Sequence, residues 1–99
     1  MVDEILNMRA KRVDDNQAKI VEQLRRLGVT VQHLHTIGQG CPDLLLGVRG
    51  RNFLIELKDS EKTESQKRLT DDEKEFFNTW RGQVNKCETL EDILKVVGL

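Results

Sequence analysis

Residues 42–58 read Pro-Asp-Leu-Leu-Leu-Gly-Val-Arg-Gly-Arg-Asn-Phe-Leu-Ile-Glu-Leu-Lys, and this stretch decides the fold. Two short apolar runs, 44–46 and 53–55, flank Val48-Arg-Gly-Arg-Asn52. The pattern predicts a β-hairpin whose strands are buried on both faces and so lie centrally in a sheet. Side chains alternate along a strand, so Glu56 and Lys58 share one face, opposite to Phe53, Ile55 and Leu57. With Gly50-Arg51 as a two-residue loop, or with a four-residue loop over 49–52, Leu45 faces Glu56 and Asp43 faces Lys58. Asp43 and Glu56 are then diagonal neighbours roughly 7 to 8 Å apart, close enough to converge on one cation.

Two carboxylates on adjacent buried strands repel one another and are costly to desolvate unless positive charge lies between them. A hard divalent ion with oxygen ligands meets that need, so magnesium is the expected cofactor, with manganese as its substitute. Such an ion binds a phosphate oxygen, acidifies a water and offsets the charge that develops during phosphodiester hydrolysis. The Lys58 ammonium would orient the attacking water or stabilise the pentacovalent phosphate, and the main-chain carbonyl of Leu57 would complete the metal shell. The plain alternative is an Asp43 that ends a turn and a solvent-facing Glu56/Lys58 ion pair on an edge strand. Residues 53–57 are too apolar for an exposed edge, and charges that interrupt a buried pattern tend to be functional.

Outward from the hairpin, Ile20, Val21, Leu24 and Leu27 repeat at helical spacing over 15–27, with Gly28 as a stop. Residues 29–36 are rich in β-branched side chains and predict a strand, followed by a Gly38-Gln-Gly40 loop. After the hairpin, 59–68 is charged and aperiodic and is expected to be an exposed, mobile loop. Thr70 with Glu73 forms a capping-box signature, and Phe76, Phe77 and Trp80 line one face of the helix that runs to Gly82. Their spacing favours a core-facing stripe over a base-stacking platform. A strand over 83–87 and a helix capped by Thr89, with Leu90, Ile93, Leu94 and Val97 on one face, close the chain. The expected class is α/β, in the order α-β-β-β-α-β-α, with helices flanking a mixed central sheet.

The 99 residues are enough for a single domain, so large partners must bind its surface. Residues 1–12 show no strong pattern, although Ile5, Leu6 and Met8 could form a turn of helix or pack on a partner; this arm is expected to be flexible or to contact a dimer partner. No apolar run is long enough to cross a bilayer and Met1 opens no signal-peptide pattern, so a cytoplasmic location without a membrane partner is expected. The net charge of −1 is no nucleic-acid footprint, yet basic groups recur at Arg9/Lys11/Arg12, Arg25/Arg26, Arg49/Arg51 and Lys62/Lys67/Arg68. These are either solvated faces or a basic rim beside the acidic site. Cys41 and Cys87 are isolated and expected to be reduced. With His33 and His35 they could in principle form a zinc site, but their irregular spacing argues against it. The two histidines are either near the active site or DNA, or simply solvated.

Gly40-Cys-Pro-Asp43, Phe53-Leu-Ile-Glu-Leu-Lys-Asp59, Ser65, Leu69-Thr70, Trp80 and the strand around Val84 together resemble the VRR-NUC nucleases. These form a branch of the PD-(D/E)xK superfamily, and the likeness is to its small stand-alone phage and bacterial members over about 13–98. The resemblance implies a restriction-endonuclease-like core in which Asp43 and Glu56 ligate the metal and Lys58 serves catalysis. It also implies a homodimer acting on branched DNA such as Holliday junctions, with no small-molecule substrate. Many relatives carry a glutamate early in the first helix, where this chain reads Asp14-Asp-Asn-Gln17, and often a glutamine where Glu73 stands. Gln17 is therefore a candidate for an active-site or DNA contact, with Asp14 and Asp15 as alternatives.

Overall fold

The computed structural model describes residues 15–99. The predicted features at Ile5, Leu6 and Met8, the basic group at Arg9, Lys11 and Arg12, the 1–12 arm and Asp14 lie outside the described residues. The elements are α1 (Asp15–Arg26), β1 (Thr30–His33), β2 (Leu44–Val48), β3 (Arg51–Leu57), α2 (Glu64–Lys67), α3 (Asp71–Thr79), β4 (Asn85–Cys87) and α4 (Leu90–Val97). They form an α/β fold around a mixed four-stranded sheet ordered β1-β2-β3-β4. The first three strands are antiparallel and β4 runs parallel to β3, a pairing that requires the long crossover through α2 and α3.

One sheet face carries the core. Leu44, Leu46, Val48, Phe53, Ile55 and Leu57 are buried there, clustered with Ile20, Val21 and Leu24 of α1 and Ile93 and Val97 of α4. These are the positions that strand and helix periodicity assigns to the inside. Gly28 ends α1 at φ 90, and a Thr89/Asp92 capping box opens α4.

The structure corrects the hairpin register. Leu44 pairs with Ile55, Leu46 with Phe53 and Val48 with Arg51. The loop is therefore Arg49-Gly50, not Gly50-Arg51, and both loop residues have positive φ, 52 and 78, as the tight turn favoured in hairpins requires. Carried one residue further, this register sets Asp43 opposite Glu56 instead of Lys58. The shift is two residues, so no side chain changes face.

The second face is only half covered, contrary to the expectation of burial on both sides. Leu45 and Leu54 are half-buried, and no residue of α3 is buried. Phe76 and Phe77 are partly covered and Trp80 is 47% exposed, so these aromatics are not the predicted core stripe. Spacing identifies an apolar helix face but not whether anything lies against it.

The segment 59–68 is also more ordered than its composition suggests. Thr63 and Gln66 form a capping box that starts α2. Lys67 is buried and bonds Glu88 at 3.1 Å, while Lys86 Nζ donates to the Lys67 carbonyl at 3.1 Å. Two strands are shorter than predicted. After His33 the chain turns, with the Leu34 N–H donating to the Asp43 carbonyl at 2.8 Å. Gln83 precedes β4, and its side-chain amide accepts from Leu54 N–H at 2.7 Å and donates to the Leu54 carbonyl at 2.8 Å.

Candidate active site

Asp43 sits at the mouth of β2, just after the buried Pro42, and is tied to both neighbouring strands. Its carbonyl accepts from Leu34, and its Oδ2 accepts from Leu57 N–H at 2.9 Å. Glu56 and Lys58 follow on the same face of β3 and its extension. Glu56 is 2% exposed, and its Oε2 lies 3.3 Å from Lys58 Nζ. The same ammonium bonds Glu73 Oε1 at 2.9 Å. Asp43, Glu56, Leu57 and Lys58 thus line one cleft of about 290 Å³, together with Asp59, Lys62, Gln66 and Glu73.

The electrostatics of this cleft are set by burial. Desolvation, reinforced by Asp43 and Glu73, pushes the Glu56 pKa from 4.5 up to about 9. Burial also raises Asp43, against the pull of the Leu57 N–H and the Lys58 charge. Burial works to lower the Lys58 pKa, but the hydrogen bond to Glu73 and the charge of Glu56 outweigh it and hold the ammonium above its ordinary value. Burial likewise opposes ionisation of Glu73, yet bonds from Lys58 and from the Thr70 N–H bring its pKa below the usual one. The cleft therefore favours the ion pair of Lys58 with Glu73 and a protonated Glu56 carboxyl.

Glu56 Oε1 is buried without a hydrogen-bond partner among the described residues. A buried carboxylate oxygen with no partner is costly, and a cation shared with Asp43 would satisfy it. No group of three or more His, Cys, Asp or Glu side chains is disposed to hold a metal ion among the described residues. Two carboxylates and the Leu57 carbonyl instead fit a hard ion that retains several waters, as magnesium does.

Glu73, Gln66 and Asp59 join the cleft without having been assigned to it from sequence, and Lys62, one of the residues expected for a basic rim, lines it as well. Two capping boxes carried the available signal: Thr70/Glu73 aims Glu73 back over the start of α3, and Thr63/Gln66 fixes α2 beside the cleft. Gln17 is buried in α1 and is not among the cleft-lining residues; Asp15 opens the same helix. His33 lies near enough to Asp43 to feel its charge, but burial, His35 and Arg25 lower its pKa. Cys41 senses Glu56 and Asp43, whereas Cys87 is buried at the end of β4, and no zinc cluster forms among the described residues.

The expected basic rim is largely engaged with its own chain. Arg25 donates to the Val31 carbonyl, Arg26 pairs with Glu22, Arg49 donates to the Gly98 carbonyl, and Arg51 stacks over Phe53. No helix among the described residues is long and apolar enough to cross a membrane. No family model, no curated protein and no solved structure matches the chain.

Proposed function

We propose that the chain is a magnesium-dependent DNA endonuclease of the VRR-NUC type on a restriction-endonuclease-like core, in which Asp43 and Glu56 hold the ion and Lys58 serves hydrolysis. The supporting observation is that Asp43, one residue before β2 and bonded to the Leu57 N–H, shares a cleft with Glu56, whose Oε1 is buried and unpartnered among the described residues beside the Lys58 ammonium.

Magnesium, when bound, supplies positive charge that polarises a phosphate oxygen and makes water easier to deprotonate. The chain supplies the rest. Leu57 N–H fixes the Asp43 carboxylate, and the Leu57 carbonyl is available to the ion. Lys58, held between Glu56 and Glu73, is placed to meet the charge that gathers on the phosphate. Water oxygen would bond to phosphorus as the bond to the leaving nucleotide oxygen breaks, with the proton lost by the water balancing the one gained by that oxygen. Lys62 and Gln66 stand at the rim, where a neighbouring phosphate would pass.

Branched DNA such as a Holliday junction, and a homodimer presenting two sites to two strands, follow from the family resemblance and from the fit of two-fold symmetry to a four-way junction. Flaps, nicks and ends are the rival substrates. A non-catalytic DNA-binding module is less well supported, because Arg25, Arg26, Arg49 and Arg51, the residues it would use, are engaged within the chain. The test is cleavage of labelled junction, flap, nicked and linear duplex DNA with magnesium or manganese. Metal-dependent cutting that Asp43→Ala and Lys58→Ala each reduce by about a hundredfold or more is expected. Binding without cleavage, unaffected by either substitution, would favour the module instead.

A further inference from the structure

Beside the acidic cleft lies a second, apolar cavity of about 470 Å³ between α3 and the half-covered sheet face. Its walls are Leu45 and Leu54 on the sheet and Phe76 and Trp80 on the helix side, with Asn52 and Gln83 as polar groups. Glu73, Phe76 and Trp80 stand at i, i+3 and i+7, so one helix face runs from the cleft into this cavity over about 10 Å. Cys41 lines the cavity and stands two residues before Asp43 of the cleft, which joins the two sites at their other side. The Phe76 and Trp80 rings stack with centroids 4.9 Å apart and planes inclined by 17°, and Trp80 is half-exposed among the described residues.

We propose that this cavity is a nucleobase slot, which takes one unpaired base of the strand whose phosphate occupies the Asp43/Glu56/Lys58 cleft. The assignment rests on the nuclease reading and narrows its substrate to DNA with unpaired nucleotides beside the cut. A strand held at the cleft and continuing along the α3 face meets an exposed aromatic ring in a concave apolar pocket. A base inside a duplex has both faces covered, so only an unstacked base can enter. A second copy of the chain fits the slot less well: ten residues line it, against roughly 20–30 a side in a stable dimer.

Trp80 is the only tryptophan, so its fluorescence reports on the slot directly. The test uses the full chain without divalent ion. Its emission and its quenching by iodide are followed while oligothymidylate, blunt duplex, a duplex with a single-stranded flap and the same flap with abasic sites are added. Oligothymidylate and the flap should shift the emission and shield Trp80, while the blunt duplex and the abasic flap should not. Trp80→Leu should weaken flap binding about tenfold or more while leaving blunt-duplex binding unchanged, and Trp80→Phe should restore most of it. Equal shielding by duplex and flap, or none by any DNA that the enzyme cuts, overturns the slot and leaves the nuclease standing. Shielding already complete without DNA assigns the slot to residues 1–14 or, if it depends on protein concentration, to a second copy, and also overturns it. Shielding by unpaired DNA in a protein that cuts nothing supports the slot and removes the nuclease.

Discussion

Glu56 is the residue on which the site turns, because it is buried, raised to about 9 and lacks a partner for one oxygen. An ion that binds it must displace its proton. Magnesium binding near neutral pH should therefore release about one proton, and affinity should rise about tenfold per pH unit until pH approaches 9. Calorimetry in buffers of different ionisation enthalpy measures both. The same shift affects metal-free stability. An acid whose folded pKa lies above its unfolded one contributes stability that is complete below the unfolded value of 4.5 and is lost as pH rises through about 9. Glu56→Gln should thus raise the melting temperature of the metal-free protein more at about pH 9 than at about pH 5, while abolishing magnesium binding. Thermal melts across that range check it, and a uniform offset would count against a protonated Glu56. Asp43, Glu56 and Lys58 were legible in the sequence because strand parity survives a two-residue error in register. Glu73 was not, since its capping spacing and its departure from the relatives' glutamine did not place it beside Lys58.

At the scale of elements, the cleft depends on where α3 begins. Gly40, at φ 79, lies against that point so closely that a β-carbon would stand 2.2 Å from the Asp72 carbonyl oxygen. Gly40→Ala must move either the 38–41 turn or the first turn of α3, and with it Glu73 and the grip on Lys58. Cleavage should fall by about tenfold or more, alongside a stability loss of about 1–3 kcal/mol. Thr89→Ala gives the contrast: it removes the cap of α4 at a residue that does not line the cleft, and should lower stability by about 1 kcal/mol in urea melts without changing cleavage. Helices α1, α3 and α4 were readable because their caps and periodicity are local. The short helix α2 was not, because the Lys67–Glu88 bond that anchors it spans 21 residues and has no periodic signature. The aromatic face of α3 was visible as a stripe but misread as core, since its exposure depends on how much of the sheet lies opposite.

Over the whole molecule, one sheet face is packed with the core and the other is only half covered and carries the acidic cleft. The chain carries net charge −1, and Asp43, Glu56, Asp59 and Glu73 share the cleft with only Lys58 and Lys62. Without metal, the site should repel the phosphate backbone. Because Glu56 is held protonated without metal, the variant Asp43→Asn should by itself bind junction DNA more tightly than wild type in chelator at neutral pH, and the difference should shrink as salt is raised. Fluorescence anisotropy checks both, and weaker binding by the variant would show that this carboxylate does not face the DNA. The half-covered sheet has another exposure to manage. Strand β4 pairs only with Ile55, Glu56 and Leu57, so the first half of β3 would otherwise end in bare backbone. The Gln83 side chain imitates a peptide unit there, giving and taking one bond with Leu54 as a neighbouring strand would. Its amide works as a stopper: it occupies the donor and acceptor that a strand from another molecule would need for edge-to-edge addition, the first contact of aggregation.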